Sequence, residues 1–115
     1  MADVTLAKLQ AIFHAVMKRQ VDKRDPIRSE FGKIEKEEVT LSDRMIFIQH
    51  YAKQNGKFSF RNLLEKQSTK VEVIVTFLGI LELMKISVIT VEQDAIFDDI
   101  KIVFTGKEAD LSEWE

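Results

Sequence analysis

Apolar side chains recur along this chain first at helical and then at strand spacing. Leu6, Leu9, Phe13 and Val16 share one face of a helix predicted from about Thr5 to Lys18, with Thr5 placed to cap its free amides. Asp25-Pro26 closes that region. From Ile27 to Val39 the sequence is polar, and the loosely spaced Phe31 and Ile34 suggest a connector with one short strand. Thr40 followed by Asp43 resembles a capping box, and Leu41, Met45, Ile48 and Tyr51 or Ala52 then mark a second helix that Asn55-Gly56 stops. Phe58 precedes a capping Ser59, and Phe60, Leu63 and Leu64 predict a short third helix broken by Lys66-Gln67. Ser68 opens the longest apolar stretch, Val71 to Ile86. Its length and the interspersed Glu72, Thr76, Glu82 and Lys85 favour a helix over a strand. Beyond it, the β-branched Val88-Ile89-Thr90-Val91 and the alternating Ile100, Ile102 and Phe104 predict two strands joined by the acidic turn Asp94 to Asp99.

Two helices and a long third helix feeding a hairpin is the element order of an α+β winged helix-turn-helix. Here three helices and a two-stranded β-hairpin wing are preceded by an extra N-terminal helix. The expected divisions are an N-terminal helix and connector over 1–39, the winged-helix domain over 40–104, and a frayed polar tail over 105–115 with Trp114 as its candidate anchor.

Composition supports a folded chain. The 115 residues suit one domain, 45% are hydrophobic and 31% charged, and eight Phe against one Pro and four Gly oppose disorder. Without cysteine there is no disulfide frame, thiolate metal site or cysteine nucleophile, which fits a reducing cytoplasm. No signal peptide is recognised, and no apolar run reaches the roughly 20 residues that span a bilayer. A cytoplasmic protein without a membrane role is therefore expected. The net charge of -2 is unevenly spread: residues 1–61 carry 12 Lys+Arg against 8 Asp+Glu, and residues 62–115 carry 5 against 11. A polyanion would be repelled by the second part, so any nucleic-acid surface must lie on the first.

Candidate chemistry is sparse. His14 and His50 are the only imidazoles, are expected at the surface, and fall on different helices without carboxylates at useful spacing. No phosphate-binding glycine loop, His-Glu metal motif or serine elbow is present, so no enzyme and no cofactor are expected. Asp94, Asp98 and Asp99 lack the glycine and terminal glutamate of a calcium loop and are read as a solvated turn rather than a metal site. Phe97 within that turn is expected to tuck under the hairpin. The rival to a protein-interaction module is the DNA-binding winged helix of a transcription regulator. Base readout needs Arg, Lys, Asn or Gln along the third helix, and its polar sector offers Glu72, Thr76, Gly79 and Glu82. The basic run Lys18, Arg19, Lys23, Arg24 and Arg28 has its commoner meaning as a solvated helix end.

The string Thr76-Phe77-Leu78-Gly79-Ile80-Leu81-Glu82-Leu83-Met84-Lys85, followed by Val91-Glu92-Gln93 and Phe97-Asp98-Asp99-Ile100, resembles the C-terminal winged-helix signature of the bacterial kleisins, the segregation and condensation protein A family. Gly79 departs from it, standing where the family usually has Ala. Arg44-Met45 and Phe60 extend the likeness, which covers residues 40–103 well and 3–39 loosely. The resemblance implies the C-terminal part of a longer protein, without the family's N-terminal domain that grips the neck of the SMC ATPase. It also implies that the acidic central segment, which binds segregation and condensation protein B, is lacking. The implied function is docking on an SMC head domain for chromosome condensation and segregation in the cytoplasm, associated with the nucleoid through the SMC complex, with ATP chemistry left to the partner and no specific nucleic acid bound.

On the helical wheel of Val71 to Ile86, Val71, Ile74 and Leu78 form one apolar side. Val73, Phe77, Ile80 and Met84 form another, with Leu81 between them. Core is the usual fate of such positions. The partner-binding set is nevertheless assigned to Val73, Phe77, Ile80, Leu81 and Met84, because an aromatic anchor flanked by a flexible methionine has the composition of an interface hot spot. Val71, Val75 and Leu78 are the alternative.

Overall fold

The computed structural model describes residues 2–20 and 39–114. Helix α1 (Ala2–Arg19) is followed by α2 (Leu41–Asn55), strand β1 (Lys57–Ser59), α3 (Phe60–Glu65), α4 (Lys70–Lys85), β2 (Ile89–Asp94), β3 (Asp99–Phe104) and a 3₁₀ turn at Leu111–Trp114. This is the α+β winged-helix architecture with its additional N-terminal helix. The connector expected from Ile27 to Val39 falls, but for Val39, outside the described residues with its short strand, as do the cations Lys23, Arg24 and Arg28 and the side chain of Trp114.

Capping chemistry sets most helix starts. Thr40 accepts a hydrogen bond from the Asp43 amide at 3.1 Å, and Ser59 accepts one from the Asn62 amide at 3.0 Å. For α4 the cap is Thr69 rather than Ser68: Thr69 Oγ1 accepts from the Glu72 amide at 3.2 Å, while the Glu72 carboxylate reaches back to the Ser68 amide at 2.8 Å. Thr5 lies inside α1 rather than at its start, because the helix begins at Ala2. Gly56 ends α2 at φ 76°, a conformation that glycine adopts without a Cβ penalty.

Among the described residues the wing has three strands instead of the expected two, in the order β1-β3-β2, all antiparallel. Strand β1 is too short to show alternation in sequence, and its partner lies more than forty residues away. Phe58 opposes Ile102, which opposes Val91 on the other flank, so one row of apolar side chains crosses the sheet beneath the helices.

One core collects Leu9, Ile12 and Val16 from α1, Met45 and Ile48 from α2, Phe60, Leu63 and Leu64 from α3, Val73, Phe77, Ile80 and Leu83 from α4, and Ile100 and Ile102 from β3. Leu6, read as part of the inner face of α1, is exposed, and Ile12 takes its place. The segment after β3 is docked as well. Gln49 clamps Ala109 with two hydrogen bonds, donating to its carbonyl at 3.2 Å and accepting from its amide at 3.0 Å, and Leu111 is buried. The core therefore draws on residues on both sides of 40–104.

Candidate docking surface

Helix α4 leaves the core through a left-handed residue. Ser87, at φ 68°, donates to the Met84 carbonyl, and Val88 donates to the Leu83 carbonyl at 2.9 Å, closing a Schellman motif that turns the chain directly into β2. That exit and the Thr69 cap set the two ends of α4. Val73, Thr76, Phe77, Gly79, Ile80 and Leu83 point into the core. Val71, Ile74 and Leu78 point out, at 56%, 38% and 44% exposure. They lie at successive turns on one face, with Val75 and Leu81 half-buried along its edges and Lys70 and Lys85 near its ends.

The partner-binding set expected from the sequence divides on this geometry. Val73, Phe77 and Ile80 are buried, and Leu81 and Met84 are half-buried against the core. Phe77 is covered because the Phe13 ring of α1 lies flat on it at 4.4 Å between centroids, while the Phe60 ring approaches from α3 at 6.1 Å. A side already filled by two helices of its own chain offers no surface to a partner. The alternative side, with Val71 and Leu78, is the open one, and Ile74 joins it.

The hairpin turn corrects two further expectations. Phe97 does not tuck under the sheet: its amide is bound by the Asp94 carboxylate at 3.3 Å, Asp98 adopts φ 51°, and the ring is 73% exposed beside Ile96 at 85%. Asp99, read as part of a solvated turn, is buried, with its carboxylate accepting from the Ser59 hydroxyl and from the backbone amides of Arg61 at 3.2 Å and Ile100 at 2.6 Å. It ties β3 to the start of α3. Asp98 stays exposed and pairs with Lys8 of α1. The hydrogen bond and charge of the Lys8 ammonium, with the more distant Arg61 guanidinium, hold the Asp98 carboxyl below the usual carboxylate range.

His14 and His50 are exposed, as expected. Among the described residues no group of His, Asp and Glu has the arrangement of a metal site, and no helix is long and apolar enough to cross a membrane.

The family model for segregation and condensation protein ScpA matches residues 2–105. The chain belongs to the ScpA family. Segregation and condensation protein A of Clostridium acetobutylicum is 35% identical over 100 residues, covering 87% of this chain and 40% of the relative. The Bacillus cytotoxicus ScpA is 37% identical over 99 residues, 85% of this chain and 38% of the relative. The Halothermothrix orenii ScpA is 39% identical over 72 residues, 61% of this chain and 30% of the relative. The chain thus spans about two-fifths of the length of the first two ScpA relatives. No solved structure matches it.

Proposed function

We propose that this winged-helix unit of the ScpA family is a non-catalytic docking module that binds the head domain of an SMC ATPase through the outer face of α4. In that role it serves chromosome condensation and segregation at the nucleoid, while ATP hydrolysis belongs to the partner. Segregation and condensation protein B belongs to the full-length assembly in this reading, bound by a segment other than this domain.

The observation that carries the reading is the exposed stripe Val71, Ile74 and Leu78 on the helix that a DNA-binding winged helix would insert into the major groove. Three outward aliphatic side chains cannot read base edges, which need donors and acceptors such as Arg, Asn or Gln. Glu72, the acidic group in the first turn of the helix, is engaged with the Ser68 amide. Apolar groups on successive helical turns suit a hydrophobic groove on a protein.

The experiment is calorimetric titration of an isolated SMC head with the chain and with Leu78→Arg, alongside thermal unfolding and a duplex-DNA shift assay. The expected result is that Leu78→Arg keeps the wild-type melting midpoint within about 2 °C, since the site is exposed, and binds the head at least about a hundredfold more weakly. A folded variant that binds as well as wild type, or a specific DNA complex of the wild type, overturns the reading.

A further inference from the structure

Two contacts place α1 alongside α4. The Phe13 ring lies on Phe77 at 4.4 Å, and Gln20, just past the end of α1, donates to the Gln67 carbonyl, just ahead of α4, at 3.1 Å. The later part of one helix meets the earlier part of the other, so the two run antiparallel. Ile74 and Leu81 stand one turn either side of Phe77, and Met17 stands one turn beyond Phe13. Leu6, two turns before Phe13 on that same face of α1, is 43% exposed. The apolar stripe of Val71, Ile74 and Leu78 therefore continues past the half-buried Phe13 onto α1. Cations frame this two-helix face. Lys18 and Arg19 stand at the end of α1, and Lys70 and Lys85 at the two ends of α4. All four are exposed, and none is in an ion pair among the described residues. Carboxylates are scarce there: α1 has none after Asp3, Glu72 is held by the Ser68 amide, and the half-buried Glu82 lies three residues after Gly79, on the side toward α2.

We propose that α1 is the second wall of the docking site, and that the protein bound by α4 meets this face with an apolar ridge flanked by Asp or Glu side chains. The inference rests on the docking reading above. Charge selects that chemistry. Residues 62–115 are acidic as a whole, yet two of their five cations stand at the ends of α4. Exposed cations without a carboxylate of their own, set around an apolar face, favour carboxylates on the partner and speed its approach. Nucleic acid fits less well, because the surface between the cations is aliphatic and offers phosphates no donors. Size points the same way. Three aliphatic side chains on one helix bury far less than the roughly 1,200 Å² of a stable interface, and a face shared by two packed helices comes nearer to it. Because the Phe13–Phe77 stack already fixes α1 on α4, little conformational freedom is lost when the partner arrives.

The test titrates the isolated SMC head of the same organism with the full chain, Leu78→Arg, Leu6→Glu and the double variant Lys70→Gln/Lys85→Gln, at low and moderate salt. Lys107→Gln, on the segment after β3, is the control for net charge. Each protein is also followed by thermal unfolding, by sedimentation without the head and by a duplex-DNA shift assay; if Leu6→Glu melts below wild type, Leu6→Ser takes its place. Leu6→Glu is expected to bind the head at least about tenfold more weakly. The lysine double variant is expected to bind about tenfold more weakly at low salt and to lose part of the salt dependence of wild type, whereas Lys107→Gln binds as wild type does. A folded Leu6 variant that binds as wild type does, while Leu78→Arg does not, overturns the α1 wall and leaves the α4 reading standing. A lysine double variant with the wild-type salt dependence overturns the acidic partner surface. No binding by the wild type, or full binding by a folded Leu78→Arg, sinks the docking reading and this inference with it. Self-association abolished by the Leu6 variant, or a DNA complex abolished by the lysine variant, also overturns the proposal, assigning the face to a second copy of this chain or to nucleic acid.

Discussion

The ring of Phe13 lies on the ring of Phe77 with an interplanar angle of 11°, so α1 covers the side of α4 that carries the largest aromatic group of that helix. This stack makes the N-terminal helix part of the domain core. Phe77→Ala is expected to cost about 3–5 kcal/mol and Phe13→Ala less, because Phe13 is only half-buried. A double-mutant cycle should return a coupling of about 0.5–1.5 kcal/mol. Phe77→Arg should lose the cooperative thermal transition, since the charge has no route to solvent. Urea unfolding followed by circular dichroism measures the two alanine variants and their double variant, a thermal scan checks Phe77→Arg, and additive single effects would remove the stack from the account.

Gly79 of α4 faces α2. A Cβ there would meet Ile48 Cδ1 at 3.0 Å, inside normal contact. Alanine gains about 1 kcal/mol of helix propensity over glycine, and crowding a filled core costs a similar amount. Gly79→Ala alone should consequently be close to neutral. In an Ile48→Val background, where the crowding methyl is gone, the same change should stabilise by about 1 kcal/mol relative to that background. Equal effects in both backgrounds would mean that contact with Ile48 is not what opposes the extra methyl.

Ser87 sits in the left-handed region at the exit of α4, exposed, with its backbone in the Schellman motif. A side chain there carries a penalty that glycine avoids. Ser87→Gly is expected to raise stability by about 0.5–1 kcal/mol, or about 2–4 °C in melting midpoint. A drop would indicate that the added freedom of the unfolded chain outweighs the relieved strain.

The Lys8–Asp98 pair should give a small, pH-dependent tie between α1 and the wing. Its carboxyl is held below the ordinary range by the Lys8 hydrogen bond and charge in the folded chain, so its contribution is full above the unfolded value near pH 4 and fades as pH falls through the lower folded value. The melting difference between wild type and Lys8→Met is accordingly expected at pH 7, to shrink below about pH 4, and to shrink in about 0.5 M salt. A difference independent of both would mean that the Lys8 stem, rather than its charge, makes the contact.

The sequence by itself determined the helices from α2 onward, their caps at Thr40 and Ser59, the break at Gly56 and the β2–β3 hairpin. Each of these depends on residues within a few positions of one another, where period and capping chemistry act. It also carried the family likeness, which the match over residues 2–105 bears out. Tertiary structure alone decided which apolar side of α4 is closed. On the wheel the Val71 and Phe77 sides look alike, and only the packing of α1, α2 and α3 on α4, with Phe13 on Phe77 and Ile48 against Gly79, leaves Val71, Ile74 and Leu78 outside. Strand β1 was hidden because its three residues gain their conformation from pairing with β3. Asp99 went inward and Phe97 outward against their usual preferences for the same kind of reason. Ser59 and the amides of Arg61 and Ile100 satisfy the buried carboxylate, while contacts from α1 and α3 and an Asp94 side-chain bond fix the turn that lifts the phenylalanine clear. Contacts between distant parts of the chain leave no period to read, so their outcome is settled only when the elements pack.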